Sequence, residues 1–181
     1  MKTYYLFSRN CFLSHPHGSF FALALAYASL TFASPEANTP VPVTGGFFPC
    51  FTYAGAPRQV GDNIIVRFNT TSDVTGAFTG QDVGDELDII HRDGSINIHG
   101  TALFTGALNG GPSGTLLFTY SGIGSAVTGH ASLQIVGAQG TGGLAGVHFQ
   151  GTIEANLVAP NPGCDASGVA TYTGQVVFVP R

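Results

Sequence analysis

From Asn63 to the C-terminus one pattern repeats: a short run rich in Val, Ile, Phe, Thr and Tyr, then a cluster of Gly, Asp, Asn or Ser. β-Branched and aromatic residues suit a pleated, half-buried surface, and the punctuating residues suit turns, so the pattern is that of an all-β sandwich or barrel. It places eight strands, at Asn63–Thr71, Val74–Val83, Glu86–His91, Ser95–Leu108, Gly114–Gly122, His130–Val136, Val147–Val158 and Ala170–Val179. No stretch carries a convincing helical period. Most connections are shorter than the dozen residues a parallel crossover needs. Arg92-Asp93-Gly94 and Asn109-Gly110-Gly111 supply residues that tolerate positive φ, so neighbouring strands are expected to be antiparallel.

Alternation assigns faces, because side chains at i and i+2 point the same way along a strand. Val147, Phe149, Ile153 and Leu157 share one face, and His148, Gln150, Thr152, Glu154 and Asn156 the other. The same test turns Ile64, Val66 and Phe68 inward, with Leu116, Phe118 and Tyr120, with Ala131, Leu133 and Ile135, and with Tyr172, Val176 and Phe178. Glycines recur within these strands, where they permit the sharp coiling a small closed barrel needs. Closure also removes exposed sheet edges. The expected fold is an eight-stranded antiparallel closed barrel.

Ahead of the barrel the chain reads as an export signal. Lys2 and Arg9 precede an apolar run, Phe20–Leu30, and Thr31-Phe32-Ala33 places small residues where signal peptidase reads them. The run falls short of the roughly 20 residues that span a bilayer, so no membrane anchor is expected. Cleavage after Ala33 divides the chain into a signal peptide (1–33), a Pro-rich extended lead-in (34–60) and a β-barrel domain (61–181). The exported chain then keeps four arginines, no lysine and ten carboxylates, for a net charge of −6. Scattered Arg58, Arg67, Arg92 and Arg181 do not make the basic track that nucleic acid requires. The lack of lysine excludes Schiff-base chemistry.

Cys50 and Cys164 remain as an even pair in an oxidising compartment, which favours one disulfide over a catalytic thiol, since Asp165 beside Cys164 would raise a thiol pKa. Asn69-Thr70-Thr71 is a glycosylation sequon on the outward face of its strand.

The segment Gly140-Thr141-Gly142-Gly143-Leu144-Ala145-Gly146, followed by a long strand containing Gly151-Thr152 and by Tyr172-Thr173-Gly174, resembles the allene-oxide-cyclase-like barrel superfamily. That group includes plant allene oxide cyclases, dirigent proteins and small microbial proteins of unknown function. Thr105–Gly110, Ser113-Gly114-Thr115 and Tyr120-Ser121-Gly122 are similar to the preceding hairpin of the microbial members. The resemblance spans roughly Asn63–Val179 and implies an eight-stranded barrel with an apolar cavity. It also implies cyclase or isomerase chemistry, or stereochemical steering of reactive intermediates, and assembly into dimers or trimers.

Other motifs lead elsewhere. Gly140-x-Gly142-x-x-Ala145 satisfies a dinucleotide spacing, but the residues after it alternate with period two, so no helix N-terminus would receive a pyrophosphate and no cofactor is expected. No Gly-x-Ser-x-Gly elbow occurs. The four histidines of the barrel lack paired ligand spacing, and Asp82, Asp85, Glu86, Asp88 and Asp93 lack the EF-hand order, so no metal is expected and the acidic cluster reads as a solvated hairpin end. Polar residues on apolar faces are more informative, because burial demands a partner or a task. Asp82, His91, Tyr120 and Tyr172 are the candidates: a carboxylate or imidazole to move protons, tyrosine hydroxyls to orient an oxygen. The expected function is binding of a small, largely apolar molecule, with isomerisation, cyclisation or steering of it. The alternative is a non-catalytic surface or interaction protein whose barrel is filled by its own side chains.

Overall fold

The computed structural model describes residues 39–179; the signal-peptide expectation and the start of the lead-in lie outside them. Nine strands occur in chain order: β1 Val41–Tyr53, β2 Arg58–Val60, β3 Asn63–Gly76, β4 Phe78–Ile90, β5 Ser95–Leu108, β6 Gly114–Ser125, β7 His130–Ala138, β8 Val147–Val158 and β9 Ala166–Phe178. From β3 to β9 each strand pairs antiparallel with the next. β1 lies between β9 and β3 and closes the ring, and short β2 pairs with β3 beyond the end of β1. The result is a closed, eight-stranded antiparallel barrel, as the alternation implied.

The strands that make up the eight differ from expectation in two places. Val41–Tyr53, read as part of an extended lead-in, is a barrel stave paired on both sides. Pro49 concealed it. The ladder to β9 is interrupted between Phe47↔Ala170 and Cys50↔Ser167, and Pro49 there packs its ring against Gly168, whose missing side chain leaves the room. The second difference is that two strands, not three, cover residues 63–91. Ser72-Asp73 and Gly84-Asp85 look like turns but sit inside ladders: Gln81 Nε2 donates to Asp73 Oδ1 at 2.9 Å, and the Thr101 hydroxyl to Asp85 Oδ2 at 2.8 Å. The chain turns instead at Gly76, whose φ of 97° admits only glycine readily.

The inward faces form one core. Phe78 is 1 % exposed and meets Phe104, Phe118 and Phe149 edge-on at centroid distances of 5.6, 5.6 and 5.5 Å, the arrangement aromatic quadrupoles prefer. Val66, Leu116, Leu133, Ile135, Ile153 and Val176 are buried as their parity required, whereas Ile64 and Leu157 remain exposed. The Gly140–Gly146 segment forms a single 3-10 turn, Gly142–Leu144, whose Leu144 is buried against the core. A strand, not a helix, follows it. Cys50 of β1 and Cys164 of the β8–β9 loop are joined, with a Cα–Cα separation of 5.4 Å across 114 residues of sequence. Cross-links of this kind contribute about 2–4 kcal/mol.

Candidate functional site

Reading β4 as one continuous strand fixes the chemistry of the interior. With Phe78 inward, every second residue follows it: Gly80, Asp82, Gly84, Glu86 and Asp88. The expected break at residues 84–85 put His91 on an apolar, inward face and left Glu86 and Asp88 at a solvated hairpin end. The register is the reverse.

Asp82 lies opposite Ser72 of β3 and Phe104 of β5 and is hydrogen-bonded by Ser72. Burial nevertheless raises its pKa to about 6. Glu86 lies opposite Phe68 and Gly100, and Gly100 in turn lies opposite Tyr120 of β6. A Cβ on Gly100 would collide with the Tyr120 ring. The bare glycine is therefore what lets the tyrosine cross β5 and donate its hydroxyl to Glu86 Oε2 at 2.9 Å. Burial, then the charge of Asp88, pushes the Glu86 carboxyl up to about 8 against the pull of that hydrogen bond. Burial also raises Asp88, and the Tyr120 hydroxyl is held far above the tyrosine range by burial and by Glu86. The Glu86 and Asp88 carboxyl groups share a side-chain hydrogen bond, and Asp88 Oδ1 is enclosed.

These groups face two adjoining cavities. One, about 80 Å³, runs from Phe78 and Tyr172 past Asp82 to Glu86 and Tyr120. The other, about 90 Å³, continues from Glu86 past Asp88 and Ile98 towards the open end at Leu157. Pro49, Phe51, Glu86, Leu133 and Ala155 belong to both walls. Among the described residues no three His, Cys, Asp or Glu side chains are grouped as a metal site.

Of the residues singled out from sequence, Asp82, Tyr120 and Tyr172 line the same cavity. Tyr172 is tied to the backbone, accepting from the Phe78 N–H at 2.8 Å and donating to the Thr75 carbonyl at 3.2 Å. His91 follows the outward parity of β4, bridging Asn63 Oδ1 at 3.0 Å and Asn97 Nδ2 at 2.9 Å, and lines neither cavity. Those contacts suit a ring that donates from Nδ1 to Asn63 and accepts at Nε2 from Asn97. Asn69 is exposed on the outer face of β3. Glu86 and Asp88 were missed, although extending the Phe78–Gly80–Asp82 face by four and six residues finds them.

The fold and site define a closed eight-stranded barrel with carboxyl groups turned into a small, mostly apolar interior. Residues 54–159 match the family described as "Protein of unknown function (DUF3224)", and the chain belongs to that family. The crystal structure of a DUF3224-family protein with unknown function from Shewanella oneidensis MR-1 has a similar fold, with a TM-score of 0.62 at 20 % identity, covering 79 % of this chain and 100 % of that one. None of the curated proteins matches this sequence. The matched stretch ends short of β1 and β9, the two strands that pair with each other to close the ring. Both cysteines of the disulfide also lie outside it.

Proposed function

We propose that the protein is an exported barrel that takes a small, largely apolar molecule into its interior, with Glu86 and Tyr120 as the polar end of the site. The observation that carries this reading is an ionisable side chain enclosed in apolar walls, hydrogen-bonded to a buried tyrosine, where a leucine would pack at no desolvation cost. The likeness of the Gly140–Gly146 turn to allene-oxide-cyclase-like and dirigent barrels supports the same use of the interior. Chemistry follows from the carboxyl groups. At neutral pH Glu86 keeps its proton while Asp82 has lost its own, so one cavity holds an acid and a base. A proton shift that isomerises or cyclises the bound molecule is the reaction class these residues suit. The apolar leader and the Cys50–Cys164 disulfide support export, and the exposed Asn69 sequon supports a glycan in a eukaryotic host.

The cavity volumes of about 80 and 90 Å³ favour a second reading, in which the barrel is filled by its own side chains and acts through its outer surface. Small-molecule pockets usually run from about 300 Å³. Native mass spectrometry of the exported, deglycosylated protein separates the two: a co-purifying small molecule is the result expected of a binding barrel. A bare protein whose melting temperature no member of a lipophilic library raises would sink that reading and leave the filled barrel.

A further inference from the structure

On the outside of the barrel, β6 to β9 and β1 carry two adjacent cross-strand rows of mostly uncharged polar residues. One row runs Thr119, Val136, Gln150, Gln175 and Pro42, each directly opposite the next. The other runs Ser121, Gln134, Thr152, Thr173 and Thr44 in the same way. At the usual strand spacing the rows are about 19 Å long. Apart from Thr44, these residues line two open depressions of about 320 and 670 Å³, which share Gln134 and Val136 and so form one groove. Among the described residues no Asp, Glu, Lys or Arg lines it, and its ionisable residues are His148 and the inward-turned Tyr120. The outer faces of β3 and β4, by contrast, carry Arg67, Asp73 and Asp85. The Thr152 and Thr173 hydroxyls bond each other at 3.2 Å. The exposed amides of Gln134, Gln150 and Gln175 make no hydrogen bond within the described residues.

We infer that this groove binds a neutral polysaccharide strand, laid across β6 to β9. The inference is independent of the interior site and gives the outer surface a ligand of its own. Each glutamine amide offers two donors and an acceptor, and each hydroxyl offers both, which is the pattern that sugar hydroxyls present in return. Val136 and Pro42 interrupt the first row with apolar surface, which suits the C–H faces of a sugar ring. Other ligands fit the groove less well. An anionic chain would find no Arg or Lys to pair with, a cationic one no carboxylate, and an apolar one would strip water from the amides without replacing its hydrogen bonds. An extended peptide cannot add as a further strand, because each of these strands is already paired on both sides. The length of the rows suits several linked sugar units in place of one.

The test is an NMR titration of the exported, deglycosylated protein, following the methyl groups of Val136 and Val177 on the groove and of Leu133 and Ile135 inside. The probes are cellohexaose, laminarihexaose, maltohexaose and N-acetylchitohexaose as neutral strands, and a galacturonic acid hexamer as a charged one. The expected result is saturable shifts of the groove methyl groups with at least one neutral hexamer, still interior methyl groups, and no shift with the charged hexamer. The Gln134→Ala/Gln150→Ala/Gln175→Ala triple variant should bind that sugar at least roughly tenfold more weakly, with an unchanged urea midpoint because the three side chains are exposed. If no neutral hexamer moves the groove methyl groups, or the charged hexamer binds as tightly, the assignment is overturned. Groove shifts that follow protein concentration without sugar would also overturn it, giving the face to a second copy of the chain. Should the triple variant not fold, the comparison of neutral and charged hexamers on the unaltered chain still decides.

Discussion

Tyr120 reaches Glu86 only because nothing stands at position 100: the two residues are joined by a 2.9 Å hydrogen bond that spans β5 over the bare backbone of Gly100. Sheet geometry and site chemistry meet in that contact. The glycine gives up packing of its own, and the aromatic ring replaces it. Gly45 and Tyr172 repeat the arrangement at the β1–β9 seam, where a Cβ on Gly45 would collide with the tyrosine.

Gly100→Val is therefore expected to act on the site as well as on the fold. Overpacking of this kind costs about 1–3 kcal/mol, read as a lowered denaturation midpoint. Tyr120 must also leave Glu86, so the Glu86 carboxyl should titrate still higher in a ¹³C NMR titration. An unchanged Glu86 titration would show that the tyrosine keeps its bond by another path.

Stability should depend on pH in an unusual direction. The inward carboxyl groups titrate higher in the folded chain than in the unfolded one, so the folded state binds more protons above the ordinary carboxylate range. Their contribution is fully present below about pH 4. It is lost as pH rises through about 6 for Asp82 and about 8 for Glu86. Asp93 is shifted the other way but is wholly exposed, and it alters only the acid limb. Urea midpoints at pH 5, 6.5 and 8 should fall in that order, and Glu86→Gln should flatten the last interval. A midpoint that rises from pH 5 to pH 8 would contradict the burial of these groups.

Tyr172 should behave as part of the fold. Its hydroxyl accepts from the buried Phe78 N–H, and Tyr172→Phe leaves that donor unpaired at a cost of about 1–3 kcal/mol. Thermal denaturation measures the loss. Ligand affinity should be unchanged at temperatures where the variant is folded, and a selective loss of binding would place the hydroxyl in the site instead.

What could be read from the sequence was set by period-two alternation, and it failed where polar residues sit in strands for reasons local composition does not show. β8 was legible because Val147, Phe149 and Ile153 alternate with polar residues along most of its length. β1 was not, since Pro42 and Pro49 look like punctuation until Gly168 is seen to make room for the Pro49 ring. β4 was misread because Gly84-Asp85 resembles a turn and because acidic residues are normally exposed. The same expectation hid Glu86 and Asp88, so the error in the strand and the omission from the site have one cause. Asp82 and Tyr120 were found because unambiguous apolar positions, Phe78 and Leu116, precede them on the same faces of their strands.

The central claim is that the inward carboxyl groups of β4 serve a ligand and not the fold, and Asp88 tests it most directly because burial opposes its charge and its hydrogen bond to Glu86 joins two side chains of the same strand. The measurement is the urea midpoint of ligand-free Asp88→Leu at pH 8. Replacing a poorly paired buried charge with a packed apolar side chain is often neutral or stabilising, and the account predicts a midpoint above that of the unaltered protein. A midpoint clearly below it would contradict the account, showing that Asp88 holds the barrel together.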